Sequence, residues 1–222
     1  MKFDTVDVRQ TASAADIIFA ALRKAIVEGD LKEGEHLRQD HIARMFNASR
    51  IPVREALTRL EQDGLVTTER YKGTVVAGLS VPEIEEIFEF RALVEGETIR
   101  LAVPLMTAEM LDEAERWCRA FATEPDPSKW GEINRNFHYS LYRASARPYY
   151  LQIVGSSLDR IDRYLRAQLT LTDGMARARK DHDAILEACK KRDADEACRL
   201  TRIHILDASA SLTAFLMAQR AG

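Results

Sequence analysis

Cysteine is scarce and unpatterned: Cys118, Cys189 and Cys198 are an odd number with no CxxC spacing. Such usage points to reduced thiols, core or half-buried, in a cytosolic protein rather than to a disulfide framework. Long apolar runs are missing too. No segment approaches the roughly 20 residues needed to span a bilayer, and the N-terminal MKFDTVDVRQ lacks the apolar stretch of a signal peptide. Secretion and a membrane partner are therefore not expected, and the expected location is cytoplasmic. Internal repeats, low-complexity tracts and a sustained heptad are also absent. Nor is there a strong charge of one sign, because the net charge is only -3. A mildly acidic total neither supports nor excludes nucleic acid.

The residues that are present support a globular chain. With 222 residues, 46% hydrophobic and 30% charged, the length suits one large or two modest domains, each with its own core. Charge is distributed unevenly. Arg38, Arg44, Arg50, Arg54 and Arg59 fall in one stretch whose acids are Asp40 and Glu55 alone, and clustered arginine can neutralise phosphates whatever the overall pI.

Apolar spacing predicts a helix over 14–28, stopped by Gly29, and a short second helix from Gln39 to Phe46, broken by Asn47. Ser49 stands where an N-cap is wanted, before a third helix from Arg50 to Asp63 that has Val53, Ala56, Leu57 and Leu60 inward and Pro52 in its first turn. LVTTE and TVVAG are rich in β-branched residues and flank RYKG, a turn in which Gly73 can take positive φ. Helix, helix, helix and hairpin in this order predict a winged helix-turn-helix.

From Pro82 onward the pattern is helical, with Ser80 to Pro82 marking a boundary between domains 1–79 and 80–222. Six helices are expected, over about 82–103, 107–123, 127–146, 148–171, 174–192 and 193–220, and their short connections imply an antiparallel bundle. The expected fold is mainly α: three helices plus a β-hairpin wing, followed by an all-α six-helix antiparallel bundle.

On the third helix Arg50 and Arg54 lie four residues apart, opposite Val53, Leu57 and Leu60. Two guanidinium groups on one face near a helix N-terminus suit guanine O6 and N7, or phosphate, while the Ser49 hydroxyl can add a backbone contact and Lys72-Gly73 can approach a neighbouring groove. Charge spacing alone fits a solvated basic face equally well; the wing favours DNA.

The run GEHLRQDHIARMFNASRIPVREALTRLEQDGLV, followed by YKGTVVAG, resembles the DNA-binding domain of the GntR family of bacterial regulators. The resemblance implies that Arg50 and Arg54 contact DNA with help from Ser49, Arg59, Lys72 and Gly73. Asp40 occupies a position where some members carry a basic contact, and Arg38 or Arg44 are candidates to substitute for it.

Three histidines lie on apolar faces of separate C-terminal helices: His138 near Phe137 and Leu141, His182 near Ile185 and Cys189, and His204 near Leu200 and Ile203. Any one alone reads best as a hydrogen-bonded core histidine. Three together can meet in a bundle core, where neutral imidazoles accept a divalent ion, zinc before nickel or manganese. Arg91 suits an effector carboxylate, and equally an i, i+4 ion pair with Glu95, the reading the spacing favours.

Residues 82–215, with RALVEGETIRLA and NRNFHYSLYRAS, are similar to the FCD ligand-binding domain of the FadR-type branch of that family. In metal-binding members an aspartate stands four residues before the first histidine. Here the residue is Asn134, whose carbonyl can ligate but adds no charge. The resemblance implies a homodimer on a palindromic operator, acting as a repressor that a small organic acid releases. Two other readings stay open on the residues alone: a zinc hydrolase, for which no positioned acid beyond Glu95 offers a general base, and an architectural DNA binder without effector.

Overall fold

The computed structural model describes residues 13–70, 73–171 and 174–221, and the chain divides into two compact units between Gly78 and Leu79.

In the first unit, α1 (Ala14–Glu28) opens on a capping box. The Ser13 hydroxyl accepts from the Asp16 N–H while the Asp16 carboxylate accepts from the Ser13 N–H, both at 3.1 Å. Two donors that the first turn would leave unpaired are thereby satisfied. Gly29 stops the helix with φ of 81°, a conformation that a residue with a Cβ adopts only with strain. Asn47, at φ of 48°, turns the chain between α2 (Gln39–Met45) and α3 (Arg50–Gln62).

Strands β1 (Val66–Glu69) and β2 (Gly73–Val76) pair antiparallel, with Val66 opposite Val76 and Glu69 opposite Gly73. An isolated bridge from His36 to Val75 extends this wing at its edge. Ile18, Leu22 and Ile26 of α1 meet Val53, Leu57 and Leu60 of α3 in one core with Leu65, Val66 and Val76. Leu60 is fully enclosed, so Leu60→Ala would cost about 2–5 kcal/mol.

The second unit starts with α4 (Val81–Ala102), entered through another capping box, Ser80 with Glu83, and a proline in the first turn. There follow α5 (Ala108–Thr123), α6 (Pro127–Tyr142), α7 (Pro148–Leu171), α8 (Gly174–Lys190) and α9 (Ala194–Ala221). Helix α6 is shorter than its apolar pattern suggests. It passes at Tyr142 into a 3-10 turn over Arg143–Ser145, and Ala146 then takes φ of 51° two residues before Pro148.

The first and last helices of this unit run antiparallel. The early α4 residues Ile84 and Phe88 share a cluster with Ile205 and Leu212, whereas Ile99 and Ala102 share one with Ala197. Gly96 permits the approach, since a Cβ there would sit 2.6 Å from Arg202 Cγ. Cys118 and Cys189 are buried free thiols, pushed up to about 12 by desolvation, and Cys198 is a half-buried one. Among the described residues no helix is long and apolar enough to cross a membrane.

Candidate functional site

Helix α3 presents its buried residues Val53, Ala56, Leu57 and Leu60 to the core of the first unit and leaves Arg50 and Arg54 exposed. At 100° per residue these two arginines project about 40° apart. Arg44, Ser49 and Arg50 share a shallow surface depression with Asp40 and Asn47 at the turn between α2 and α3. Ser49 is the residue capping α3, yet its side chain makes no capping hydrogen bond, which leaves the hydroxyl oxygen and its proton to other partners. Arg50 Nε pairs with the Asp40 carboxylate, both side chains being well exposed.

Arg38 is exposed at the start of α2, and Gly73, at φ of 82°, begins β2. Lys72 lies outside the described residues. Arg59 does not join this group. It lies about half a turn round α3 from Arg50, where its guanidinium donates to Asp16 at 2.6 Å and covers the Phe19 ring of α1 at 4.2 Å. The same contact, with the Ser13 bonds, holds the Asp16 carboxyl below its usual range.

In the second unit α6, α8 and α9 bring His138, His182 and His204 together, with one nitrogen from each within 4.8 Å of the others. Ring centroids are 5.0 Å apart for His138–His182 and His182–His204, and 5.3 Å for His138–His204. His182 is completely enclosed between Phe121, at 4.7 Å, and Phe137, at 4.4 Å. Neither of its ring nitrogens has a hydrogen-bond partner. Desolvation by complete burial holds the imidazoles of His138 and His182 well below the usual histidine value, so both are neutral and carry a free lone pair.

Two side chains fix the other histidines. Tyr142 donates its hydroxyl proton to Glu95 at 2.9 Å, so its oxygen accepts from His138 Nδ1–H at 3.1 Å and leaves Nε2 as the free lone pair. His204 Nδ1 faces the Asp181 carboxylate at 3.1 Å, with the same consequence. Carboxylates and hydroxyls in this position orient metal-binding imidazoles. Three oriented imidazoles, one of them with both nitrogens orphaned in the core, fit a divalent ion; polar atoms buried without partners are otherwise costly.

His138 and His204 also reach the wall of a cavity of about 50 Å³, which Asn134, Arg91, Asp162 and Asp181 share. By volume this admits a few water-sized groups. Arg91 Nε donates to Glu95 at 2.6 Å inside the core, the ion pair that the i, i+4 spacing suggests, and the residue still lines the cavity. Burial raises the Asp162 carboxyl, against the pull of Arg166 at 3.0 Å.

Sequence reasoning did not find Tyr142, Asp162 or Asp181. For Asp181 a signal existed, since it directly precedes His182. Asp162 carried none, because its place on the cavity depends on how α7 packs.

A winged helix-turn-helix joined in one chain to a helical unit with a histidine-lined cavity is the layout of a DNA-binding regulator. Residues 14–76 match the bacterial regulatory proteins of the gntR family, and residues 86–207 match the FCD domain. The chain belongs to the GntR family, in the branch that carries an FCD domain, and is a DNA-binding transcriptional regulator rather than an enzyme.

Among its relatives, an uncharacterised HTH-type regulator from the ttuE-ttuC' intergenic region of Agrobacterium vitis is 33% identical over 150 residues, covering 65% of this chain and 86% of its own. The transcriptional repressor GlaR of Escherichia coli is 27% identical over 199 residues, 83% of this chain and 89% of its own. A solved GntR-family structure from Pseudomonas syringae is 32% identical with a TM-score of 0.58, covering 94% of this chain and 88% of that one.

Proposed function

We propose that the protein is a cytoplasmic, homodimeric repressor that binds a palindromic operator and is released by a small carboxylate held at a metal site. Arg50 and Arg54 read or grip the duplex from the exposed face of α3. Arg38, Arg44, Ser49, Lys72 and Gly73 supply backbone contacts, and Arg59 contributes by fixing α3 to α1. Repression follows the name of the Escherichia coli relative.

The observation that carries the sensory half is His182, fully enclosed with two unpartnered nitrogens beside His138 and His204. Together with Asn134 these residues would hold a divalent ion, most naturally zinc given three imidazoles. When bound, such an ion supplies positive charge that attracts a carboxylate. Because neither Asn134 nor an imidazole carries negative charge, nothing in that ligand set offsets it. Arg91 stands on the same cavity wall to receive a carboxylate oxygen, with Glu95 keeping its guanidinium in place. The effector shifts DNA affinity only through a preference for one of two states of the dimer.

A thermal-shift screen of small hydroxy- and dicarboxylic acids on the zinc-loaded full chain tests this. An acid that raises Tm with zinc and not after chelation supports the reading. Equal shifts in both conditions, or none with any acid, count against it.

A further inference from the structure

The outward face of α3 contains one large apolar side chain, Ile51, 67% exposed in the first turn. A solitary exposed isoleucine is ordinary on a protein surface, and what distinguishes this one is its placement. Taking Arg50 as zero and 100° per residue, Arg54 projects at about 40°, Thr58 at about 80°, Ile51 at about 100° and Glu55 at about 140°. The buried residues Val53, Ala56, Leu57 and Leu60 occupy the opposite arc. Ile51 therefore sits near the centre of the solvent-facing surface, one residue after Arg50 and three before Arg54. It is also in the part of the helix that goes deepest into a groove when a recognition helix docks by its N-terminal end.

The major groove offers one apolar feature to such a side chain, the 5-methyl group of thymine. We propose that Ile51 is a base-reading residue that packs on a thymine methyl beside the positions engaged by Arg50 and Arg54. The inference rests on α3 being the recognition helix, as proposed above. Flanking guanidinium groups bring the helix to a polyanion, while the isoleucine loses exposed apolar surface only if a methyl group meets it. A phosphate or a guanine edge would leave it unmatched.

The test uses the full-length chain and an operator enriched from random duplexes. Each thymine of the enriched site is replaced singly by deoxyuridine, which deletes the methyl and keeps every hydrogen-bonding group. Wild type, Ile51→Ala and Ile17→Ala are compared, the last removing an isoleucine of similar exposure, 53%, on α1. At one thymine per half-site, wild type and Ile17→Ala should lose about fourfold in affinity, the factor expected for burying one methyl-sized group, while Ile51→Ala should bind thymine and uracil duplexes equally.

Because Ile51 is exposed, its truncation leaves the core of α3 intact, and unchanged Tm would confirm that. The proposal is overturned if no thymine methyl matters to wild type, or if Ile51→Ala keeps the same sensitivity. In that event loss of binding by Arg50→Ala and Arg54→Ala would still uphold α3 as the recognition helix. If those two substitutions also change nothing, the helix assignment fails together with the proposal.

Discussion

Replacing His182 by leucine separates a metal ligand from a core histidine, because the two roles predict opposite outcomes. In the metal-free protein both ring nitrogens are enclosed without partners, and each such group costs about 1–3 kcal/mol of desolvation. Leucine removes that penalty at similar volume. Against this stand a repacking cost of up to about 1.5 kcal/mol and the ring contacts with Phe121 and Phe137, each worth about 0.5–1.5 kcal/mol.

These quantities nearly balance, so metal-free His182→Leu should melt at or slightly above the wild-type temperature. Zinc acts on the wild type alone. At about 1,000 times Kd a ligand stabilises by about 4 kcal/mol, which for a chain of this size raises Tm by roughly 8–16 °C at 2–4 °C per kcal/mol. The variant should show little of that rise. Thermal unfolding followed by circular dichroism, with zinc and with chelator, reads both effects. A variant that melts well below wild type without metal, or that gains as much from zinc as wild type does, would refute the reasoning.

Arg50→Ala and Arg54→Ala should each weaken operator binding by about 1–3 kcal/mol if the side chain takes a base, or lower the salt slope by about one if it takes a phosphate, as titrations at several salt concentrations will show. Asp40→Asn frees Arg50 from an exposed pair and removes a negative charge beside the duplex, so affinity in the same titrations should rise a few-fold. Asn134→Asp should tighten zinc binding by roughly tenfold or more, since unit charges in contact interact by several kcal/mol at an effective dielectric near 20. The same change should weaken the carboxylate effector, and calorimetric titration of both ligands would expose a contrary trend.

Tyr142→Phe removes the acceptor that sets the His138 tautomer and should lower zinc affinity by about 10–100-fold, with the tautomer change visible in imidazole nitrogen shifts. Metal-free protein should lose stability as pH falls below about 6.5. There the unfolded chain protonates His138 and His182 while the folded chain, whose values are depressed, does not, and the folding constant drops up to tenfold per pH unit for each. Chemical denaturation between pH 7 and pH 5 measures this, and a flat profile would contradict the burial argument.

The fold was legible in the sequence wherever the determinant is local. Gly29, Asn47 and Pro82 mark element ends through backbone geometry, and the period of Val53, Ala56, Leu57 and Leu60 already gives the buried face of α3. The end of helix α6 is not legible in this way: the apolar pattern continues to Ala144, whereas the chain leaves the α-helix at Tyr142 and turns left-handed at Ala146.

At the candidate site, three inward histidines follow from spacing alone, as does the Arg91–Glu95 pair. Tyr142 with Glu95 spans 47 residues, and Asp181 with His204 spans 23. Such contacts depend on helix packing, which periodicity does not encode. Arg59 illustrates the same limit: its position half a turn from Arg50 could be counted, but its bond to Asp16, 43 residues away, could not.

The most direct test of the account is the operator dissociation constant of the full-length chain under four conditions: zinc or chelator, each with and without the acid that gives the largest thermal shift. A rise of at least about tenfold in Kd with zinc and acid together, lost on chelation and in His138→Ala, is the predicted result. Release of DNA by the acid to the same extent with the metal stripped away would contradict it.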